Sequence, residues 1–74
     1  MSRELMFNIE RHIGIIWRNE RTGWAKELNL VSWNGGPAKY DIREWDPDHE
    51  KMGRGMTLTE DEARKLVDLL DDEL

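Results

Sequence analysis

The sequence predicts an α+β fold in which four antiparallel strands are followed by one C-terminal helix, β-β-β-β-α. Three observations lead there. Apolar residues alternate with a period of two through much of residues 7–58, and turn-forming clusters at residues 19–23, 34–37 and 46–53 cut that stretch into four. At Thr59 the pattern changes to a helical spacing behind a capping box, with Glu62 at the third helical position. Strands are expected at about 7–17, 24–33, 38–45 and 54–58, and the helix at about 60–72. Consecutive strands joined by short loops form an antiparallel meander, and a terminal helix needs a sheet face on which to bury its leucines.

Alternation assigns Ile9, Ile13 and Ile15 of the first strand to one face, with Leu28 and Leu30 of the second, Tyr40 and Ile42 of the third, and Met56 and Leu58 of the fourth. These residues are expected to form the core beneath the helix. Pairing Leu28 and Leu30 with Tyr40 and Ile42 on one face demands an odd-length connection, which a three-residue loop containing Gly35 and Gly36 satisfies. The opposite face then receives Ile16, Val31, Trp33, Asp41, Arg43, Trp45 and Thr57. Two tryptophans, an isoleucine and a valine on one surface mark an interaction site rather than a merely solvated face. In the helix, Leu66, Val67, Leu70 and Leu74 recur on one side with Ala63 and Leu69 beside them. Asp71, Asp72 and Glu73 oppose the dipole at its end and predict fraying there.

At 74 residues and 8.8 kDa the chain has room for one domain, 1–74, and 38% apolar content is ordinary for a globular protein. A monomer of this size buries only about 60% of the surface its unfolded chain exposes, so small scaffolds recruit disulfides, metals or partner subunits. The sequence has no cysteine. Oligomerisation is therefore the favoured support, a homodimer is expected, and the leucine-rich helix is its natural seam through Leu66, Leu69 and Leu70. No apolar run exceeds three residues, Ile15 to Trp17 among them, and no signal-peptide segment is visible. A soluble protein of the reducing cytoplasm, with no membrane contact, is the expectation. Net charge is -5, yet residues 1–58 hold 9 basic and 9 acidic groups, while residues 59–74 hold 7 acidic and 2 basic ones. The whole excess of acid belongs to the helix, and the strand half is balanced.

Catalysis finds little material: two histidines, serine only at Ser2 and Ser32, and no nucleophile, base and orienter brought near one another. His12 and His49 read as surface or edge residues. The chain is not expected to be an enzyme, to take a small-molecule substrate or to carry a cofactor. Residues 46–50, Asp-Pro-Asp-His-Glu, resemble the start of a calcium loop, but the sixth position is Lys51 rather than Gly and the twelfth is Thr57 rather than Glu. A solvated turn fixed by Pro47 is the expectation, with no metal. Gly53-Arg54-Gly55 precedes a strand, not a helix, and is too short for a phosphate loop. What remains is Trp17, Trp24, Trp33, Trp45 and Tyr40 interleaved with Arg18, Arg21, Lys26, Lys39, Arg43, Lys51 and Arg54, the composition of a stacking platform beside a groove that follows a nucleic-acid backbone. Tyr40 shares the parity of the core, and Trp17 or Trp24 could pack across the first hairpin. Trp33 and Trp45 are the better candidates, either exposed for binding or buried between subunits.

The stretch from Lys39 through Tyr40-Asp41-Ile42-Arg43-Glu44 to Trp45, then a polar loop, then Gly53-Arg54-Gly55-Met56-Thr57-Leu58-Thr59 leading into a helix, resembles the DNA-binding domain of the positive cofactor 4 family of transcriptional coactivators. It is most similar to the small bacterial YdbC-like branch, on residues 24–33 and 46–52 as well, and the likeness covers about residues 7–70. The resemblance implies a curved four-stranded sheet, a helix that dimerises, and sequence-tolerant binding of single-stranded nucleic acid. It places Trp33 at the family's aromatic that closes the second strand, Arg43 at the Arg of Asp-Ile-Arg-Glu, and Arg54 at the basic residue before the Gly-x-x-Leu step. Eukaryotic members have a lysine-rich hairpin turn where this chain has Asn34-Gly35-Gly36-Pro37, and Asp41 and Glu44 flank Arg43, so weaker electrostatic binding is implied. The leading expectation is a homodimeric single-stranded-DNA-binding protein that stacks bases on Trp33 and Trp45 and contacts phosphates through Lys26, Lys39, Arg43, Lys51 and Arg54. Stacking and phosphate contacts do not by themselves distinguish RNA from DNA. The alternative is a protein-interaction module that docks a polypeptide on the apolar sheet face and acidic helix.

Overall fold

Each of the three turns carries its own hydrogen-bonding device, and together they set the meander. In the computed structural model, which describes residues 6–74, the elements are β1 (Phe7–Arg18), β2 (Ala25–Trp33), β3 (Ala38–Trp45), β4 (Met52–Leu58) and α1 (Glu60–Glu73). The sheet order is β1-β2-β3-β4, antiparallel throughout, as the sequence predicts. Asn19 turns the chain after β1 by accepting the N–H groups of Arg21 and Thr22 on its side-chain oxygen. Between β2 and β3, Asn34 and Gly35 take left-handed backbone at φ 52° and 75°, and Gly36 N–H closes on Trp33 O at 2.9 Å. Leu28 then faces Ile42 and Leu30 faces Tyr40, the register the parity argument requires. Asp46 holds the third turn, its Oδ1 accepting from the N–H groups of Glu50 and Lys51.

β1 does not obey a plain alternation. Three register shifts lie between Ile9 and Arg11, His12 and Gly14, and Ile15 and Trp17. Each inserts one residue, so the side chains that share a face recur every third position: Ile9 opposite Val31, His12 opposite Asn29, Ile15 opposite Glu27 and Arg18 opposite Ala25. This corrects the assignment of Ile9, Ile13 and Ile15 to the helix side. Ile9 and Ile15 point to the other face, while Ile13 lines the hollow beside the helix with Leu28 and Tyr40.

The core also lies elsewhere than expected. Leu28, Leu30, Tyr40 and Ile42, on the helix side, are only half-buried, and no residue of α1 is buried. Between sheet and helix is an open hollow of ≈ 710 Å³. The radius of gyration, 13.6 Å, exceeds the value of about 11 Å for a compact chain of this length. Apart from Ser32, the buried residues are on the opposite face, where Val31 and Trp45 are fully enclosed beside Ala25, with Glu27, Asn29 and Asp41 among them. The cause is curvature. Trp45 stands opposite Ala25 at one end of β2 and Phe7 opposite Trp33 at the other, yet the Phe7 and Trp45 rings are 5.1 Å apart. The sheet curls until its ends touch and close that face.

Gly55 helps the curl. It lies opposite Arg43, and a Cβ there would sit 2.3 Å from Arg43 Cβ and 2.4 Å from Ile42 O, so only glycine lets β4 approach this closely before the register shift that brings Met52 to Trp45. The helix begins as predicted: Thr59 Oγ accepts from Glu62 N–H and Glu62 Oε1 from Thr59 N–H, and the helix runs to Glu73. Arg64 bonds Glu60 one turn earlier at 2.7 Å, which raises its guanidinium above the ordinary arginine value. No helix among the described residues is long and apolar enough to cross a membrane.

Candidate nucleic-acid interface

Arg43 and Trp33 form the centre of the curled face. The Arg43 guanidinium grips Asp41 with two hydrogen bonds of 2.7 and 2.8 Å, and reaches Gly53 O at 3.4 Å. Its Cζ also lies over the Trp33 ring, 4.6 Å from the centroid, close enough for a cation–π contact. Asp41 is fully buried, so Arg43 balances a charge that has no access to water. Trp33 is half-buried, flanked by Phe7 at 6.0 Å, and its Nε1 is enclosed without a hydrogen-bond partner among the described residues. The guanidinium and the indole thus lie against each other on the curled face.

Trp45 corrects the expectation of a second exposed stacking residue. It is 0% accessible, packed between Phe7 and His49, whose rings lie 5.1 and 5.6 Å away. Alternation placed it on the same face as Trp33, correctly, but the curl turns that face inward and makes Trp45 the largest core side chain. Val31 and Asp41, also expected on an open surface, are buried for the same reason.

The remaining cations divide by face. Lys39, opposite Val31, is exposed on the side of Trp33 and Arg43. Lys51 and Arg54 are exposed on the β3–β4 turn and the start of β4, next to the Gly53 carbonyl that Arg43 reaches. Lys26 pairs with Trp17 and Glu44, which puts it on the helix side, away from Trp33. Leu66 lines the hollow between sheet and helix, and Leu69 and Leu70 are 56% and 46% exposed.

Sequence reasoning missed a polar network. Glu27, nearly inaccessible, receives His49 Nε2 at 2.9 Å on one carboxylate oxygen and Asn29 Nδ2 at 3.1 Å on the other, and Asn29 Oδ1 lies 2.7 Å from His12 Nδ1. The two histidines are therefore tied into the sheet rather than being free surface residues. His49 adopts a left-handed backbone at φ 57°, a conformation uncommon outside glycine and maintained here by its ring contacts. The available signal was the parity that Glu27 and Asn29 share with Val31.

The topology, the Asp-Ile-Arg-Glu segment on β3 and the capped helix together define a class, and comparison with known proteins supplies its name. Residues 21–69 match the family model described as Transcriptional Coactivator p15 (PC4). The chain belongs to that family, whose members are non-catalytic coactivator and nucleic-acid-binding proteins. It is also similar to an uncharacterised protein of Treponema pallidum (strain Nichols), 60% identical over 48 residues, which are 65% of this chain. The match spans 56% of that relative's length.

Proposed function

We propose that the chain is a homodimeric, sequence-tolerant single-stranded-DNA-binding protein of the YdbC-like branch of its family, a cytoplasmic accessory factor in transcription or DNA maintenance. The observation that carries this reading is Trp33 capped by Arg43 on the curled face, with Lys39 exposed on the same face and Lys51 and Arg54 exposed beside the Gly53 carbonyl that Arg43 reaches. A base stacks on this indole and guanidinium surface, and the neighbouring cations take the phosphates. Trp45 packs behind Phe7, which flanks Trp33. Lys26, on the other face, is left out of it. The half-open hollow on the helix side is the dimer seam: Leu66, Leu69 and Leu70 of two copies cover it, which supplies the burial that one helix does not.

Because the net charge is negative, stacking carries the larger share of the affinity. Titration with oligothymidine, followed by tryptophan fluorescence, should show quenching and clearly tighter binding than to a duplex, whose bases offer no free face. Equal affinity for single strand and duplex overturns the reading. Trp33→Ala should weaken binding by about tenfold or more with the salt slope unchanged, whereas Arg54→Ala should flatten the log–log salt slope by about 0.7. Circular dichroism checks that both variants remain folded.

A further inference from the structure

Beyond Trp33 on the curled face, β1 and the β3–β4 turn enclose an open groove of ≈ 400 Å³. Its rim carries His12, Arg18 and His49, its wall Ile15, and its floor Glu27 and Asn29. Trp33, Phe7, Trp45 and His49 form a continuous aromatic row, with successive centroids 6.0, 5.1 and 5.6 Å apart, that leads from the stacking surface to this groove.

The floor fixes how the histidines present themselves. A carboxylate only accepts, so the amide nitrogen of Asn29 must face Glu27 and its oxygen must face His12, which makes His12 Nδ1 a donor. By the same logic His49 Nε2 donates to Glu27. In the neutral imidazoles, His12 Nε2 and His49 Nδ1 are then acceptors, and neither has a hydrogen-bond partner among the described residues. Their side chains are 51% and 40% exposed. Arg18 is exposed and has no ion-pair partner among the described residues, while Arg43, directly across from Glu27, is committed to Asp41.

We propose that this groove is a second nucleotide subsite on the path of the bound strand, in which Arg18 holds a phosphodiester and the imidazoles of His12 and His49 receive a base bearing an exocyclic amino group. The proposal rests on the single-strand-binding reading above. Two outward acceptors match the amino donors of cytosine and adenine and meet only a carbonyl acceptor at the corresponding position of thymine. A protein that tolerates any sequence at Trp33 acquires a preference here.

The test compares oligodeoxycytidine with oligothymidine of equal length at about pH 8, above the ordinary histidine range. His12→Phe and His49→Phe keep an aromatic ring and remove the acceptor. Each should lower the cytosine-to-thymine affinity ratio relative to wild type by about fivefold, the worth of one neutral hydrogen bond, while binding to oligothymidine changes little. Arg18→Ala, at an exposed position that tests the groove even if the phenylalanine variants do not fold, should reduce the salt slope by about 0.7. An unchanged ratio in the folded phenylalanine variants overturns the base contact, and an unchanged slope in Arg18→Ala overturns the phosphate contact. Wild-type protein that binds neither oligonucleotide overturns the function itself, an outcome distinct from both.

Discussion

The two faces of this sheet reverse the usual roles of apolar and polar residues. The face written in leucine, isoleucine and tyrosine stays half-open beneath a helix with no buried residue, whereas the face that carries Glu27, Asn29, Asp41 and Arg43 is the one that closes. Curvature decides between them. A curled sheet has a short inner arc, and one large side chain from each end, Phe7 and Trp45, suffices to seal it. The outer arc is too long for a single 14-residue helix to cover. The difference teaches that burial follows the shape of the sheet, and that Glu27, Asn29 and Asp41 occupy the enclosed side because each is hydrogen-bonded there.

The sharpest way to break this contrast is to remove a partner on the closed face. Arg43→Ala leaves the Asp41 carboxylate buried without its bidentate cation, and should destabilise the fold by about 3–5 kcal/mol, measured by urea unfolding. A loss below about 1 kcal/mol would mean that water reaches Asp41, as at an exposed pair. On the open face, Leu70→Lys should prevent the proposed dimer by placing an unpaired charge in its proposed seam. Light scattering reads this as a fall in mass from two copies to one, and a wild-type mass near 8.8 kDa at every concentration rejects the dimer. The smallest effect belongs to the helix start, where Thr59→Ala removes the capping oxygen from Glu62 N–H and should cost about 1 kcal/mol, seen as a lowered thermal midpoint.

Sequence patterns revealed the elements better than they revealed the faces. β2 and β3 alternate without interruption, so their register follows from the parity of Leu28, Leu30, Tyr40 and Ile42, and the capping box announces α1 through two residues three positions apart. β1 defeats the same logic, because a bulge has no residue signature of its own and each one reverses the parity of all that follows. Alternation puts Trp33 on the face that curls, and the structure leaves it half-buried there beneath the Arg43 guanidinium. For Trp45 alternation gives the face but not the burial, since it reports direction and not curvature. The Glu27 network joins residues 22 positions apart for His49 and 15 for His12, a separation that no local spacing reveals.

The irregular stagger of β1 also bears on colloidal behaviour. This strand is an edge of the sheet and exposes Ile13, Ile15, Ile16 and Trp17 at 42–57%, a combination that in a flat strand would template the addition of further chains. Three interruptions in 12 residues leave no uninterrupted run of evenly spaced N–H and C=O groups for an incoming strand to match. An apolar edge can therefore remain in water without seeding fibres, and the chain keeps a greasy strand while denying it the geometry of self-propagation.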